Sequence, residues 1–465
     1  MTEQFDAIII GAGQAGPPLA GRLTSAGMRV ALIERHLLGG TCVNTGCMPT
    51  KTLVASARAA HVARHAAHWG VSAGPVSVDI AAVKARAHTV TRNAREGLSK
   101  FLGELPGLTL IQGQARFRDA HLLQVGDRML SAPRIFINVG GRALLPDMPG
   151  AADVTLLTNT SMLALDTLPR HLAVVGGSYV GLEFAQMYRR FGAEVTIVER
   201  GERLISREDP DISEAIRSIL EAEGITVRLG AECIAFAPDG DAIEVKVDCA
   251  TDARSITASH VLMAVGRRPN TDDLGLAEAG VAIDGRGYIQ VDDALATTVA
   301  GIWALGDCNG RGAFTHTAYN DYEIIAADLL DGARRKVSDR ATAYALYTDP
   351  PLGRAGMTEA EVRAAGRPYL VSTRPMSRVG RAVEMGETAG CMRAIVDAET
   401  HRILGAAILG VHGDEAIHGI LDTINASRPF EELQRSVPIH PTVSELIPTL
   451  LEGLAPPTGA PQLSA

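Results

Sequence analysis

Two segments of the chain share one order of apolar and polar positions. They begin at Asp6, "DAIIIGAGQAGPPLAGRLTSAGMRVALIER", and at Leu172, "LAVVGGSYVGLEFAQMYRRFGAEVTIVER". Each opens with a short apolar run rich in β-branched residues, typical of a strand buried in a parallel sheet. A glycine-rich turn and a segment with helical spacing follow, and a glycine then ends the helix. Since a second apolar run closes each segment, both predict a βαβ unit of about thirty residues.

The first glycine-rich turn has the pattern Gly11-x-Gly13-x-x-Gly16. Such a pattern provides a tight turn, a close approach of the backbone to a pyrophosphate, and close packing of helix on strand. The phosphates would lie at the helix N-terminus, where free N–H groups favour anions. Glu34 ends the second strand, where it can accept from an adenosine ribose hydroxyl. We therefore predict a dinucleotide site here.

The second turn differs at one position of the same pattern, which reads Gly176-Gly177-Ser178-Tyr179-Val180-Gly181. Serine replaces the middle glycine and is small enough to allow phosphate approach. Glu199 favours NADH, because a carboxylate there repels the 2′-phosphate of NADPH. Arg200 and Arg203 follow it and could instead bind that phosphate, or could be ordinary surface charges. The sequence weakly favours NADH over NADPH.

Two dinucleotide units in one chain suggest an electron relay between two cofactors. In "TTVAGIWALGDCNG", Asp307 follows a predicted strand, where a buried acid can hold a ribityl hydroxyl. In "VLMAVGRRPNT", a strand ends at Gly266 before an arginine-rich loop. By periodicity alone, either segment is also consistent with an ordinary strand-to-loop junction.

Composition narrows the class of protein. A net charge of −9 without a basic run argues against a nucleic-acid-binding surface. No apolar run approaches the ~20 residues of a membrane span. The start, "MTEQFDAIII", carries acids where an export signal needs basic residues, and predicts a strand. Six cysteines in 465 residues are too sparse for a disulfide-stapled secreted protein, so we expect a cytoplasmic location.

Two of the six cysteines, Cys42 and Cys47, lie close together in "GGTCVNTGCMPTK". A zinc half-site, a coincidence and a redox disulfide are the alternatives. Zinc needs two more ligands, whereas the other cysteines are single and scattered, so we expect no metal site. The pair lies at or near the N-terminus of a helix that the run from Thr50 predicts, where the helix dipole favours thiolate. A disulfide at this spacing requires local distortion, which Gly46 and Pro49 make plausible. A redox disulfide is favoured.

The assembled pattern resembles the flavin-dependent pyridine nucleotide-disulfide oxidoreductases over nearly the whole chain. The motif "GGTCVNTGCMPTK" is highly specific to that group. Three further runs, "CMPTKTLV", "FTHTAYNDYEIIAADLL" and "HPTVSE", resemble a mercuric-reductase-like subgroup that includes the reactive-chlorine-resistance flavoprotein. The resemblance implies FAD on the first unit, NAD(P)H on the second, and a C-terminal interface domain in a homodimer.

The resemblance also implies roles for individual residues. Cys42 would be the interchange thiol and Cys47 the charge-transfer thiolate beside the flavin. Lys51 would lie near flavin N5 and pair with Glu183, and Tyr179 would cover the flavin until the nicotinamide arrives. Further FAD contacts are expected at Gly40, Thr41, Gly140, Gly141 and Asp307.

The run "VPIHPTVSE" supplies His440 and Glu445. In the family, the histidine is the general acid–base of the partner's active site, and the glutamate orients it. A lone histidine in a proline-flanked loop is otherwise more often structural. The tail "GLAPPTGAPQLSA" lacks the cysteine pair of many mercuric reductases, and the N-terminal metal-binding domain is also missing. Efficient mercury reduction is therefore not expected.

The predicted architecture is α/β, with two Rossmann-like domains followed by an α+β dimerisation domain. The FAD domain would span 1–150 and 271–340, with the NAD(P)H domain inserted at 151–270. The interface domain would span 341–452, with a hairpin at "DAETH", and 453–465 would be a disordered tail.

The predicted function is electron transfer from NAD(P)H through FAD and Cys42–Cys47 to a small disulfide or thiol-type acceptor, as in dihydrolipoamide dehydrogenase. A reductase of Hg(II) or Cu(II) is the first alternative. A redox-sensing flavoprotein, whose disulfide is not a turnover intermediate, is an alternative of another class.

Overall fold

The computed structural model describes residues 1–231, 234–247 and 255–457. Its first part contains the elements β1 (Thr2–Gln4), β2 (Ala7–Ile10), α1 (Gly16–Ser25), β3 (Val30–Glu34), α2 (Gly40–Asn44), α3 (Cys47–Arg64), α4 (Ile80–Gly103), β4 (Leu108–Gln112), β5 (Ala115–Asp119), β6 (Leu122–Val125), β7 (Arg128–Ser131), β8 (Ile135–Ile137) and β9 (Gly141–Ala143). Strands β8, β2, β3 and β4 form a parallel sheet in that order. The four strands β1, β7, β6 and β5 form a separate sheet. The predicted first βαβ unit is therefore present as β2, α1 and β3.

The second glycine-rich turn belongs to a second parallel sheet. This part contains β10 (Leu156–Leu157), α5 (Asn159–Ala164), β11 (His171–Val175), α6 (Tyr179–Phe191), β12 (Glu194–Val198), α7 (Pro210–Ala222), β13 (Thr226–Arg228), β14 (Ile234–Asp239), β15 (Ala242–Val247), β16 (Ser255–Ala258) and β17 (His260–Met263). The sheet order is β10-β17-β11-β12-β13, and β14, β15 and β16 form a small antiparallel sheet beside it. Helix α6 is almost wholly buried, because both its glycine-rich start and its aromatic side chains pack into this core.

The chain then returns to the first sheet. The elements here are β18 (Arg267–Pro269), β19 (Ile302–Ala304) and α8 (Thr315–Leu330). Strand β19 pairs with β8 in parallel and completes the first sheet, while β18 pairs with β9. Along the chain, the second parallel sheet thus lies between strands that belong to the first sheet.

The last part of the chain is an antiparallel sheet with helices. Its elements are β20 (Ala343–Leu346), β21 (Leu352–Gly356), α9 (Glu359–Ala364), β22 (Tyr369–Pro375), α10 (Gly380–Glu384), β23 (Cys391–Asp397), β24 (Ile403–Leu409), α11 (Gly413–Ala416), α12 (His418–Asn425), α13 (Phe430–Gln434) and α14 (Ile447–Glu452). The strand order is β20-β21-β24-β23-β22, and β23 and β24 form the predicted hairpin.

The predicted disordered tail requires a correction at its start. Ala455 exchanges two backbone hydrogen bonds with Val371 of β22, with N···O distances of 2.8 and 3.1 Å. Since these bonds satisfy edge groups of the last sheet, the chain is ordered at this residue. Residues 458–465 of the predicted tail lie outside the described residues.

A buried ion cluster joins the second unit to the last sheet. Arg354 of β21 donates to Glu208 and, at 2.9 Å, to Asp209, and the three side chains are no more than 1% exposed. Glu208 also accepts from the Tyr344 hydroxyl at 2.5 Å. Burial of charges requires such mutual pairing, because an unpaired ion in the interior is strongly unfavourable. The cluster fixes the last sheet against the loop that precedes α7.

A helix that spans a membrane needs about 20 mostly apolar residues. The longest helix of the described ranges, α4, has 24 residues but carries several lysine and arginine side chains. Within residues 1–231, 234–247 and 255–457, no helix is both long and apolar enough to cross a bilayer.

Candidate active site

One large cavity connects both glycine-rich turns with the two close cysteines. Its volume is about 1440 Å³, which exceeds the range of roughly 300–1,000 Å³ usual for a pocket that holds one small ligand. The predicted site residues that line it are Gly11, Gly13, Glu34, Gly40, Thr41, Cys42, Cys47, Lys51, Gly140, Gly176, Gly177, Ser178, Tyr179, Glu183, Glu199, Arg200, Gly266 and Asp307. The cavity is therefore large enough for two elongated cofactors that meet near the cysteines.

The glycines of the two turns serve two different purposes. A Cβ on Gly16 would lie 2.4 Å from the Gly11 carbonyl oxygen, and one on Gly181 would lie 2.1 Å from that of Gly176. These third glycines allow helix and strand to pack closely, as predicted. Gly13 faces the cavity, where its missing side chain leaves room for a ligand to approach the backbone. The turns thus fit dinucleotide phosphates.

Glu34 and Glu199, the acids that end the two βαβ units, accept equivalent hydrogen bonds from the backbone. Glu34 accepts from the backbone N–H groups of Ala12 at 2.9 Å and His36 at 2.8 Å. Glu199 accepts from the equivalent groups of Gly177 at 2.6 Å and Gly201 at 2.7 Å. Each carboxylate oxygen keeps further lone pairs, so a ribose hydroxyl can still be bound.

Two arginines near Glu199 have different surroundings. Arg200 lines the cavity, whereas Arg203 donates to the Ser206 carbonyl oxygen at 3.1 Å. Of the two, Arg200 thus borders the cavity, next to Glu199, whereas the Arg203 guanidinium is directed to a backbone carbonyl group.

The two cysteines lie on either side of a break between two helices. Cys42 is in α2, and Cys47 is the first residue of α3, three residues earlier than the predicted helix start at Thr50. Gly46 precedes it with a backbone conformation outside both the helical and the extended regions (φ −135°, ψ −119°). A Cβ on Gly46 would lie 2.9 Å from the Thr41 carbonyl oxygen, so the break requires glycine. The predicted distortion is present, and the structure holds both sulfurs as free thiols.

The environment separates the acidities of the two thiols. A hydrogen bond from Cys42 lowers the pKa of Cys47 to about 6, with further help from Thr315 and the Lys51 cation against the opposing effect of burial. The same hydrogen bond, together with burial, raises the pKa of Cys42. The pair therefore shares one proton at neutral pH, with the negative charge on Cys47.

Thr315, the first residue of α8, was not predicted as a site residue. Its hydroxyl oxygen lies 3.4 Å from Cys47 Sγ. The signal for this region in the sequence was the family-like run "FTHTAYNDYEIIAADLL", which contains it. We expect Thr315→Val to raise the pKa of Cys47 by about one unit, because a hydrogen bond to the thiolate is lost. The pH dependence of thiolate absorbance in the reduced enzyme measures this change.

In the wild type, the thiolate signal should be present at neutral pH and fall as the pH drops through about 6. Thr423→Val is the control, since Thr423 is half-buried and its hydroxyl donates only to the Gly419 carbonyl oxygen within α12. An unchanged midpoint in Thr315→Val would contradict the contact.

Lys51 and Glu183 form the ion pair that the family resemblance implies. Lys51 Nζ lies 2.9 and 2.6 Å from the two Glu183 carboxylate oxygens. Glu183 also accepts from the backbone N–H of Tyr347 at 3.0 Å, and the Lys51 cation lies 4.8 Å from the centre of the Tyr347 ring. Tyr347, which no sequence signal identified, thus helps to hold the ammonium group in place.

Tyr179 is enclosed by aromatic and cationic side chains. Its ring packs edge-on against Phe314 at 5.8 Å and Tyr344 at 5.5 Å, and the Arg207 guanidinium lies 5.2 Å from its centre. Its hydroxyl is buried without a hydrogen-bond partner among the described residues. Burial raises the pKa of Tyr179, so the ring is neutral. A side chain with an unsatisfied hydroxyl is suited to moving when a ligand arrives.

Asp307 lies in a short turn directly after β19. Its carboxylate lies 3.5 Å from Arg267 Nε, and burial raises its pKa. A half-buried acid at the end of a strand can accept hydrogen bonds from a sugar-like ligand.

His440 and Glu445 meet each other but not the cysteines. His440 Nδ1 lies 2.8 Å from Glu445 Oε2, which leaves the other ring nitrogen free, and the imidazole is 79% exposed. Among the described residues that line the large cavity, neither of the two occurs. The neighbouring Val437 and Ile439 are 95% and 79% exposed, so this loop presents apolar side chains and the dyad together.

In the ranges that the structure describes, no cluster of three or more His, Cys, Asp or Glu side chains could hold a metal ion. Cys233 and Cys249, two of the scattered cysteines, lie outside those ranges.

Comparison with known families finds two adjoining matches. The model described as pyridine nucleotide-disulphide oxidoreductase matches residues 5–321. The model of the dimerisation domain of the same family matches residues 342–451.

Curated relatives match over nearly the full chain. A probable pyridine nucleotide-disulfide oxidoreductase, RclA of Escherichia coli (strain K12), is 36% identical over 95% of this chain and 97% of its own length. A mercuric reductase of Bacillus cereus is 32% identical over 95% of this chain and 70% of its own length. A dihydrolipoyl dehydrogenase of Chlamydia muridarum is 30% identical over 96% of both chains.

The chain also matches a solved structure of this family over nearly its full length. The Cu(II) complex of the HOCl-induced flavoprotein disulfide reductase RclA from Escherichia coli superposes with a TM-score of 0.87. It is 36% identical and covers 96% of this chain and 99% of its own. The predicted fold class, with two Rossmann-like domains and a C-terminal dimerisation domain, is confirmed.

Proposed function

We propose that Cys42 and Cys47 form the redox disulfide of this enzyme and that they reduce a small disulfide-type acceptor. The chain belongs to the pyridine nucleotide-disulphide oxidoreductase family. It is therefore an FAD-dependent enzyme that passes electrons from a pyridine nucleotide through FAD to a disulfide. The observation that carries the proposal is the single cavity lined by both glycine-rich turns and both cysteines.

The first turn would hold FAD. Gly11, Gly13 and the N-terminus of α1 would receive its pyrophosphate, with Gly16 allowing the close packing behind them. Glu34 would accept from the adenosine ribose and Asp307 from the ribityl chain. The remaining contacts would come from Gly40, Thr41 and Gly140. Lys51, held by Glu183, would place a positive charge where the reduced cofactor gains electrons.

The second turn would hold the nicotinamide coenzyme in the same way. Gly176, Gly177 and Ser178 would receive its pyrophosphate, and Gly266 would border it. Glu199 supports NADH over NADPH, because its carboxylate would accept from a ribose hydroxyl and repel a phosphate. Arg200 weakens that preference. Tyr179 would cover the inner end of the site and move aside for the nicotinamide.

The thiols would carry out the second half of the reaction. Cys42 attacks one sulfur of the acceptor disulfide and forms a mixed disulfide, and the other sulfur leaves as a thiolate. That thiolate takes a proton from a general acid. Cys47, already a thiolate, then attacks Cys42 Sγ, which releases the second thiol and restores the Cys42–Cys47 disulfide. The raised pKa of Cys42 means that a base must first remove its proton.

His440 of the partner subunit would supply that base. Three observations support this: the dimerisation domain of the family, the exposed imidazole, and the exposed apolar residues beside it. Glu445 would hold the ring through Nδ1 and so keep the other nitrogen ready for the acceptor's proton. Each active site would then need two chains, in a homodimer that we place in the cytoplasm.

We expect His440→Gln to lower disulfide reduction by about 10²- to 10⁴-fold, the contribution of a positioned acid–base group. Reduction of the flavin by the nicotinamide coenzyme should be unchanged, because that step does not use the histidine. Stopped-flow flavin reduction and steady-state turnover separate the two effects.

His401→Gln is a matched control for this variant. His401 is also an exposed histidine paired with a glutamate, Glu431, on the same sheet domain. It should keep wild-type turnover. Equal loss in both variants, or no loss in His440→Gln, would refute the catalytic role.

Metal-ion reduction is the second candidate function. Mercuric reductases among the relatives and the Cu(II) complex of RclA favour it. In that case His440→Gln would leave turnover with Hg(II) or Cu(II) nearly unchanged, because no thiolate has to be protonated. A redox sensor would instead show negligible turnover with every acceptor.

Anaerobic titration with NADH and NADPH, followed by an acceptor panel, tests these alternatives together. Lipoamide, glutathione disulfide, Hg(II), Cu(II) and quinones form the panel. Fast turnover with a disulfide and slow turnover with metals supports the proposal, and the reverse order rejects it.

A further inference from the structure

A second cavity of about 460 Å³ lies beside the coenzyme cavity. The two share several lining residues, among them Arg207, Arg267 and Phe314. Among the described residues, no glycine of the two dinucleotide turns lines the second cavity. It is therefore separate from both helix N-termini that we assign to coenzyme phosphates.

Arginine dominates the lining of this cavity. The arginines are Arg207, Arg267, Arg268, Arg286, Arg311 and Arg340, and the carboxylate lining it is Asp307. Their segments are well separated in the chain. Arg207 precedes α7, and Arg267 and Arg268 lie in β18. Arg286 lies between β18 and β19, and Arg311 and Arg340 lie in the loops before and after α8. The fold, and no local motif, brings these cations to one place.

Several of these guanidinium groups keep free donors. Arg268 donates through Nη2 to Asp272 at 2.7 Å, and Arg311 through Nη2 to Asp293 at 3.3 Å. The remaining nitrogens of both are free of protein acceptors among the described contacts. Their side chains are 46% and 40% exposed, so they can reorient toward a ligand. Arg340 differs, because its donors are used by Asp321 and by backbone carbonyl groups.

Arg207 stands out because its charge is not neutralised. In the described part of the chain it has no carboxylate within 4.0 Å, and its guanidinium lies over the Tyr179 ring. The next residue, Glu208, is fully buried in the ion cluster with Arg354 and fixes the backbone here. Arg207 is thus held at the boundary of the two cavities with its hydrogen-bond donors available.

We propose that this cavity binds a diphosphate group. Guanidinium forks match phosphate oxygens in pairs, and several of them around one cavity fit a ligand with more than one negative charge. Arg207, Arg268 and Arg311 would make the contacts. The ligand is inorganic pyrophosphate or the diphosphate of a nucleotide. Bound there, it would reach the guanidinium that covers Tyr179.

Calorimetric titration of the FAD-loaded enzyme with inorganic pyrophosphate tests the proposal. We expect one site per chain in the wild type, with affinity that falls as salt rises. The double variant R268Q/R311Q should weaken binding by more than about tenfold, since two charge-assisted contacts are lost. Arg170→Gln, an exposed arginine paired with Asp241 at 3.1 Å in the second unit, should bind as the wild type does.

A parallel titration with ADP separates the two sources of diphosphate. Tighter binding of ADP, with the same dependence on Arg268 and Arg311, indicates a nucleotide, and equal or weaker binding indicates free pyrophosphate. No binding to the wild type overturns the proposal. So does equal affinity in R268Q/R311Q, which would place the ligand in the coenzyme cavity.

Flavin content and melting temperature identify folded variants. If the double variant fails either check, Arg311→Gln alone replaces it, with the same expected direction. The titration involves no turnover, so its failure has no bearing on the proposed electron route.

Discussion

Replacing Cys42 with serine should abolish acceptor turnover while the enzyme still accepts electrons from the nicotinamide coenzyme. Serine cannot attack a disulfide at neutral pH, so we expect turnover to fall by more than about 10⁴-fold, as for other lost nucleophiles. The protein disulfide can no longer form. Anaerobic titration should therefore show uptake of one electron pair per chain instead of two.

The thiolate of Cys47 should persist in this variant. Its lowered pKa depends first on a hydrogen bond from residue 42, and the serine hydroxyl can donate the same bond. Cys391→Ser is the control, because Cys391 lies in β23 and outside the lining of the cavity described above. If Cys42→Ser takes up as many electrons as the wild type, the pair is not the redox disulfide.

Replacing Arg354 with alanine should cause the largest loss of stability. The substitution leaves Glu208 buried without a cation and Asp209 with only Arg393 Nε, at 4.0 Å. Breaking a buried pair in this way costs about 3–5 kcal/mol. Tyr344 loses support as well, because its hydroxyl bonds to Glu208. Thermal unfolding of the FAD-loaded protein measures the effect as a lower melting temperature.

Arg363→Ala is the matched control. Arg363 also pairs with a glutamate, Glu359, at 2.8 Å, but its side chain is 70% exposed, so the pair contributes little. Its melting temperature should stay close to that of the wild type. Equal melting temperatures of Arg354→Ala and Arg363→Ala would show that the buried cluster does not hold the last sheet in place.

The parts of the fold that depend on local pattern could be predicted from the sequence. The two βαβ units follow from apolar runs and glycine spacing, because glycine is needed where a Cβ would strike backbone, as at Gly16 and Gly181. The hairpin at "DAETH" follows from alternation on either side of a turn. Helix α3 begins three residues before the predicted start at Thr50, because the first turn of a helix tolerates a proline such as Pro49.

Contacts between distant segments could not be predicted from local pattern. The Thr315 hydroxyl reaches Cys47 across 268 positions of sequence, and Arg207 reaches Tyr179 only because a buried cluster fixes its loop. The Lys51–Glu183 pair was expected because a known family supplied it, and no spacing in the sequence indicates it. The role of His440 depends on a second chain, which one sequence does not describe.

The doubled contacts of Glu199 bear on attempts to redesign coenzyme preference. Its carboxylate binds the amide of Gly177 in the phosphate turn and that of Gly201 in the following loop. A single substitution of Glu199, made so that the site accepts the 2′-phosphate of NADPH, would also leave both backbone N–H groups without an acceptor. It would thereby destabilise the turn that binds the coenzyme. Engineering that succeeds should therefore supply a new acceptor for those amides along with the new charge.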